Sequence, residues 1–202
     1  MKKVLLSVAA LALAGGVMAQ DSRASIGLEV ALPMGDWADF YGIGIGGTLG
    51  YEIPVTDNIG LMANLGYITF SGKEVTSSVS VGGVTVSSSV KTDAQGYIPV
   101  QVGGKYYFTD NQEGAYLGLL TGLHMASVKT VEVTGTSIEE KSELKSNFGF
   151  APVFGYMVTE NIDLGLRYQM IFAKGTEVSS TGVVSETTVT NSYLGLRAAY
   201  MF

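Results

Sequence analysis

The chain has 202 residues and is acidic, with 18 Asp and Glu against 12 Lys and Arg and a formal net charge of −6. This charge argues against binding to nucleic acid, which depends on basic side chains that neutralise phosphates. Because the chain contains no cysteine, it can have neither a disulfide framework nor a lipid-modified cysteine anchor. Its mean hydropathy is +0.30, yet no long apolar run follows the first twenty residues, so the pattern excludes spanning helices.

Residues 1–19 are predicted to be a cleavable secretory signal peptide. Two lysines precede an apolar stretch over residues 4–16, and Val17 and Ala19 place small or aliphatic residues at positions −3 and −1 of a cut before Gln20. An uncleaved membrane anchor is the alternative, but the apolar stretch is shorter than the roughly 18 residues that a spanning helix needs. Residues 20–202 would then form one mature domain. Its net charge is about −8, because two lysines are removed with the signal.

A short turn motif occurs three times and predicts the number of strands. Thr56–Asn58, Thr109–Asn111 and Thr159–Asn161 each read Thr, acidic residue, Asn, and their Thr residues are 53 and 50 positions apart. Asp and Asn side chains bond to the local backbone and suit tight reversals between antiparallel strands. Three such turns join four hairpins, which gives eight strands with both chain termini at the turn end. We therefore expect both termini in the periplasm.

The predicted strands alternate an apolar row with a row of small or polar residues. They span residues 24–34, 41–53, 58–71, 95–108, 114–126, 147–158, 161–173 and 190–202. This alternation favours a transmembrane barrel with its apolar rows facing lipid. A soluble ligand-carrying barrel would reverse the two faces, and periodicity alone does not separate the two. However, the polar rows hold mostly Gly with scattered charges, which suits the narrow interior of an eight-stranded barrel.

Aromatic residues gather toward the ends of the apolar rows and predict two interfacial girdles. The alternative is that aromatic residues simply favour strands. Near the turn end lie Tyr51, Tyr106, Phe108, Tyr156, Tyr200 and Phe202, and near the other end lie Tyr41, Tyr67, Phe148 and Phe172.

Five charged residues of the polar rows are predicted to share one layer inside the barrel. They are Glu29, Glu52, Lys105, Arg167 and Arg197. Glu29 on the first strand and Arg197 on the eighth are expected to meet where the barrel closes. Such a layer would form a polar plug and would leave no open pore.

The connections opposite the turns are predicted to carry the function. Residues 75–90 alternate Val with Ser or Thr around a central Gly-Gly, which is typical of a hairpin, although low-complexity disorder is the alternative. Similar Gly-centred arms occur near Gly135 and Gly182, so the second, third and fourth hairpins are expected to extend beyond the membrane as polar ribbons. Only the first connection, around residues 35–37, is short.

No catalytic or metal site is predicted. The single His, His124, and the nearby Ser127 would project from opposite faces of a strand, so they could not share a hydrogen bond. The acidic cluster at residues 139–143 is interleaved with lysines and is interpreted as a solvated face, with a loose divalent-cation or lipid-headgroup bridge as the alternative. No cofactor is expected.

The signal peptide, repeated turns, alternation and aromatic carboxy terminus together resemble the small eight-stranded outer-membrane β-barrel proteins. This group includes OmpA-type transmembrane domains, OmpX-like proteins and the wider porin-like barrel family. The resemblance implies an all-β, eight-stranded antiparallel up-and-down transmembrane barrel in the bacterial outer membrane. It also implies a monomer in contact with outer-membrane lipids and lipopolysaccharide. The terminal strand, with Tyr200 and Phe202, would be presented to the barrel assembly machinery.

For function, this group of proteins leaves several possibilities. A structural or surface-interaction role, with a possible extracellular ligand bound by the loops, is favoured by the charged residues of the predicted lumen. A narrow channel for small or apolar solutes, as in OmpW-like proteins, is the alternative. A lipid-A-modifying enzyme is a third possibility, which the positions of His124 and Ser127 disfavour.

Overall fold

The computed structural model describes residues 22–81, 84–134, 137–178 and 184–202. The predicted signal peptide and the Gly residues predicted at the tips of the three long hairpins lie outside these described residues. The barrel strands are β1 (Arg23–Met34), β2 (Tyr41–Pro54), β3 (Ile59–Gly72), β6 (Gln95–Tyr107), β7 (Gly114–Thr134), β8 (Ser137–Thr159), β9 (Ile162–Val178) and β10 (Val184–Met201). The remaining elements are α1 (Trp37–Phe40), β4 (Glu74–Val81), β5 (Val84–Lys91) and a 3-10 turn (Asp110–Gln112).

Within the described chain, eight strands close into one antiparallel barrel. Its order is β1-β10-β9-β8-β7-β6-β3-β2, so each barrel strand pairs with the next barrel strand along the chain, and β1 pairs with β10 to complete the cylinder. The predicted eight-stranded up-and-down fold is confirmed. No helix of the described residues has the length and apolarity needed to cross a membrane.

The two faces of the barrel wall differ as the alternation predicts. Leu28 is 74% exposed on the outside, whereas its neighbour Glu29 is 1% exposed inside. The same holds around the cylinder, where Ile45 and Leu119 are exposed and Lys105 is buried. Because strand side chains alternate between faces, the apolar rows form a continuous outer belt and the charged side chains lie inside the barrel.

Two of the long hairpins continue the barrel wall as ribbons. β7 and β8 remain paired up to Thr134 and Ser137, and β9 and β10 up to Val178 and Val184. These strands therefore extend well past the predicted ends, because the polar ribbons continue the same strands. The second hairpin differs, since β4 and β5 form a separate two-stranded sheet. At its base the Thr92 carbonyl lies against Gly72, where a side chain would overlap it.

The three repeated turns fall into two types. Thr56 and Thr159 each accept hydrogen bonds at Oγ1 from the backbone N–H groups two and three residues later, at 3.0 to 3.3 Å. The middle turn instead forms the 3-10 turn, in which Gln112 adopts a positive φ of 56°. The motif thus marks all three reversals, but the Thr hydroxyl, which the sequence interpretation did not consider, organises two of them.

Candidate functional site: the barrel interior

The turn end of the interior is filled by a network of alternating charges centred on two carboxylates. Glu52 accepts hydrogen bonds from Lys105 Nζ at 2.9 Å and from the Tyr107 hydroxyl at 2.7 Å. Arg23 Nη2 lies 3.3 Å from the same carboxylate. Lys105 and Glu52 are each about 3% exposed, so this pair is fully desolvated.

Asp163 is the second carboxylate and has no exposed surface. It accepts bonds from Lys105 Nζ at 3.3 Å, Arg197 Nη1 at 3.0 Å and the Tyr116 hydroxyl at 2.8 Å. Lys105 therefore bridges the two carboxylates. Asp163 lies within the predicted strand 161–173, but its central role was missed, because a strand position does not show which cationic side chains converge on it.

A second layer lies nearer the hairpin end and is centred on Arg167. Its Nε donates to Glu29 Oε1 at 2.6 Å, its Nη1 to Gln101 Oε1 at 3.1 Å and its Nη2 to the Tyr193 hydroxyl at 2.8 Å. Gln101 in turn donates to Gln169 at 3.0 Å. A buried guanidinium is thereby bonded through all three of its nitrogens, which is the arrangement that offsets its loss of water.

The five predicted plug residues thus all lie inside the barrel, but in two layers, and one expected pairing is wrong. Glu29 and Arg197 are opposite each other across the β1–β10 seam, yet Arg197 reaches Asp163, Thr48 and Ser25. Glu29 pairs with Arg167 on the strand beyond, because Gly195 between them has no side chain. A Cβ at Gly195 would lie 2.5 Å from Glu29 Oε1 and 3.0 Å from Arg167 Cγ.

An aromatic cluster fills the hairpin end of the interior. It consists of Trp37, Phe70, Tyr97 and Tyr193, all buried. The ring centroids of Trp37 and Phe70 are 4.6 Å apart, and those of Phe70 and Tyr193 are 5.5 Å apart. Gly44 leaves room for this packing, since a Cβ there would lie 2.6 Å from the Phe70 ring.

Trp37 reaches the cluster from α1, in the short first connection. The sequence placed Trp37 in a loop and did not predict that the loop folds back over the mouth. Tyr41, predicted in the outer girdle, is instead partly buried against this cluster, with its ring 5.6 Å from Trp37. A shift in the β2–β3 register between Tyr41 and Gly44 displaces the start of β2 and accounts for this correction.

The other predicted girdle residues lie on the outside of the wall. Tyr106 and Phe108 pack edge to face at 5.7 Å, and Tyr200 and Phe202 do so at 5.1 Å. Tyr51 and Phe172 are half-buried. Large exposed rings are found at Tyr67, Tyr106, Phe108, Phe148, Tyr156, Tyr200 and Phe202.

The turn end is closed by a residue that sequence reasoning did not identify. Gln112 is 5% exposed and accepts a bond from Arg23 Nη2 at 2.7 Å, while its own amide donates to the Thr56 and Ile59 carbonyls. Its left-handed backbone is uncommon for a residue with a side chain. The middle turn therefore folds across the barrel opening and joins the lower charge network.

His124 lies inside the barrel and is 1% exposed. Among the described residues, neither ring nitrogen has a hydrogen-bond partner within bonding geometry. Ser127 is exposed, so the two side chains are on different faces of β7. The structure therefore does not bring the His124 and Ser127 side chains together.

The space left between the two charged layers is small. A cavity of about 20 Å³ lies between Arg167 and Arg197 and is lined also by Thr48, Asn64 and Tyr116. It has room for about one water molecule. In the described part of the chain, no group of three or more His, Cys, Asp or Glu residues could hold a metal ion. The side chains of the acidic cluster at 139–143 lie outside what the structure describes.

Comparison with known proteins is consistent with this architecture. A family profile described as "Outer membrane protein beta-barrel domain" matches residues 4–202. No curated protein matches the chain.

Two of the solved structures that are similar to this chain illustrate the shared fold. Ail, the attachment invasion locus protein of Yersinia pestis, is 16% identical, with 92% of this chain and 100% of that chain covered and a TM-score of 0.53. The N-terminal β-barrel domain of Pseudomonas aeruginosa OprF is 13% identical, with 89% and 97% covered and a TM-score of 0.50. At these identities the likeness shows the fold alone. Because the family profile spans nearly the whole chain, the protein belongs to the outer membrane protein beta-barrel domain family.

Proposed function

We propose that this protein is a plugged, monomeric outer-membrane barrel that presents long polar hairpins at the cell surface, with a structural or surface-interaction role and no enzymatic activity. The observation that carries the proposal is the contrast between its two parts. The interior is occupied by two charged layers and an aromatic cluster, whereas β7 and β8 continue for eight residue pairs beyond the end of the β6–β7 pairing at Tyr97 and Ala126. The length of this paired hairpin supports a role for the hairpins in contacts at the cell surface.

The proposed orientation has both termini and the three short turns in the periplasm and the hairpins outside the cell. Short periplasmic turns and long extracellular connections are the usual arrangement in such barrels. The exposed rings of Tyr200 and Phe202 at the end of β10 support recognition of this strand by the barrel assembly machinery. The apolar outer belt supports direct contact with outer-membrane lipids.

A surface partner is expected to carry basic groups, because the mature chain is strongly acidic. Ail has been crystallised in complex with the heparin analogue sucrose octasulfate, a highly sulfated ligand. The negative charge of the present chain argues against the same ligand here. Electrostatic complementarity favours a cationic protein surface.

The test is to delete one hairpin and measure partner binding and conductance separately. A variant in which a tight Asn-Gly turn replaces residues 127–144 should fold and insert as the parent does, but should bind less to immobilised basic proteins. A matched control shortens the separate β4–β5 hairpin at residues 76–89. Unchanged binding after both deletions would contradict the surface-interaction role.

A narrow channel for small or apolar solutes remains the second candidate, and planar bilayers separate it from the first. Purified protein in a planar bilayer should give no large, steady ion current, because the charged layers span the interior. A steady current from the parent protein would favour the channel and overturn the plug.

A further inference from the structure

The charge network at the turn end of the interior has more cations than carboxylates. Three cations, Arg23, Lys105 and Arg197, share two carboxylates, Glu52 and Asp163. Each carboxylate is bound by two of these cations, because Lys105 contacts both. None of the five side chains is more than 21% exposed, so water offsets little of the charge. The network therefore carries one positive charge in excess, and a buried charge without a counter-charge is costly.

A cavity of about 20 Å³ adjoins this network at Arg197. Arg167 of the other charged layer lines its opposite side, so two guanidinium groups border one small space. No carboxylate is among the described residues that line it. Its volume exceeds the roughly 10 to 15 Å³ that one water molecule needs, so it can hold a monatomic anion but not a phosphate.

The wall of this cavity carries hydrogen-bond donors that the two charged layers do not use. A guanidinium has five N–H groups, and the bonds of Arg197 described above use only three of them. Thr48 Oγ1 accepts one of these bonds, which leaves its own O–H to donate. Asn64 Oδ1 has no partner among the described residues, so a half-turn of the amide loses no bond at that atom. The half-turn exchanges the oxygen for an amino group with two N–H donors.

We propose that this cavity binds a halide ion, chloride under physiological conditions, which balances the excess positive charge of the interior. The N–H and O–H groups of Arg197, Thr48 and Asn64 supply charge-assisted contacts. Leu120 and Val153 complete the lining with apolar surface, which disfavours a strongly hydrated ion. The site lies inside the barrel, so the proposal depends neither on the orientation in the membrane nor on a surface partner.

Heat unfolding of the full barrel in an uncharged detergent tests the site. Sodium chloride and sodium gluconate are compared at equal concentration, because gluconate has the same charge but is too large for the cavity. The unfolding midpoint of the parent should be about 3 °C higher in chloride, since a ligand that binds only the folded state raises stability by mass action. Crystals grown in sodium bromide should show an anomalous diffraction peak between Arg167 and Arg197.

Gly165→Ala should remove the chloride effect, because it adds a methyl group to the cavity wall. The added Cβ would lie 3.4 Å from the Tyr116 hydroxyl, which is an ordinary contact, so the barrel should still fold. Gly47→Ala is the matched control, since it adds the same group at an exposed position and should keep the full chloride effect. If Gly165→Ala does not fold, as judged by the heat-dependent shift of the barrel on a gel, Asn64→Leu removes the amide and tests the same site.

Four outcomes would overturn the proposal. Equal midpoints of the parent in the two salts would mean that the cavity holds water only. An undiminished chloride effect in Gly165→Ala would place the anion elsewhere, and an equal loss in Gly47→Ala would make the effect a general one of replacing Gly. Bromide peaks found only outside the barrel would show an adventitious ion only. The measurements need neither a surface partner nor a current, so their failure is distinct from a failure of the proposed function.

Discussion

Glu29 and Arg167 form an ion pair across the top of Gly195, with Arg167 Nε 2.6 Å from Glu29 Oε1 although 138 positions separate them in the chain. The pair joins β1 to β9 across β10. It therefore stabilises the β1–β10 pairing that closes the barrel. Both side chains are at least 95% buried.

Removing one member of this pair should destabilise the barrel strongly. Glu29→Ala is expected to lower the free energy of unfolding by about 3 to 5 kcal/mol, because it leaves the Arg167 guanidinium buried without its carboxylate. Urea unfolding in lipid vesicles measures the change. The double variant Glu29→Leu with Arg167→Met removes both charges and should lie much closer to the parent. A double variant as unstable as Glu29→Ala would show that the pair is not the cause.

Gly195 should tolerate no side chain. Gly195→Val is expected to cost about 1 to 3 kcal/mol of unfolding free energy, since its Cβ would overlap Glu29 and force the ion pair apart. Gly47→Ala is the control, because the nearest atom to a Cβ there is 3.7 Å away. The control should change stability by no more than about 0.5 kcal/mol. Equal losses at the two glycines would point to a general cost of replacing Gly in a strand.

Asp163 should determine whether the turn end of the interior stays closed to ions. Asp163→Ala removes the carboxylate that binds both Lys105 and Arg197. The two cations then repel each other, and the missing side chain leaves a cavity beside them. We expect a small, anion-selective current in planar bilayers that the parent lacks. Asp57→Asn changes an exposed turn carboxylate and serves as the control. A current of the same size from the control would contradict the role assigned to Asp163.

Trp37 is the only tryptophan, so its fluorescence reports directly on the aromatic cluster. Because Trp37 is 7% exposed, its emission should be blue-shifted in the folded barrel and resist quenching by acrylamide. The control moves the indole within the same helix, as Trp37→Phe with Phe40→Trp. Phe40 is 50% exposed, so the relocated indole should be quenched several times more efficiently. Similar quenching constants would place Trp37 at the surface.

Phe202 is expected to matter for assembly more than for stability. It is 72% exposed, so Phe202→Ala should change the unfolding free energy by less than about 1 kcal/mol, while lowering the amount of folded protein in the outer membrane of cells. Phe108→Ala is the matched control, because Phe108 is 56% exposed in the same girdle but lies in another part of the chain. Equal losses of both variants in cells would remove any special role of the terminal ring.

Strand alternation and the repeated turn were sufficient to predict the fold, because both are local signals with a direct structural meaning. The period of two separates Leu28 from Glu29, and each Thr motif marks one reversal. The same signals predict which charged residues lie inside. They do not predict ion-pair partners, since Arg197 could reach either Glu29 on β1 or Asp163 on β9. Because Gly195 has no side chain, Arg167 reaches Glu29, and Arg197 binds Asp163.

The remaining errors concern segments that fold back over the barrel ends. Trp37 and Gln112 lie in connections outside the alternating pattern, so no strand periodicity indicates that they enter the interior. Tyr41 was misplaced because a register shift interrupts the alternation at the start of β2. Each of these positions depends on contacts between residues far apart in sequence.

The absence of a side chain at Gly44 has a consequence for how the lumen could be remodelled. Gly44 of β2 has no side chain, and the ring of its partner Phe70 on β3 occupies the space that a side chain at position 44 would need. The double substitution Gly44→Phe with Phe70→Gly would move the ring from β3 to β2, by one strand spacing, while the total side-chain volume of the pair stays constant. The shape of the lumen at the hairpin end can therefore be changed by substitutions on β2 and β3 alone.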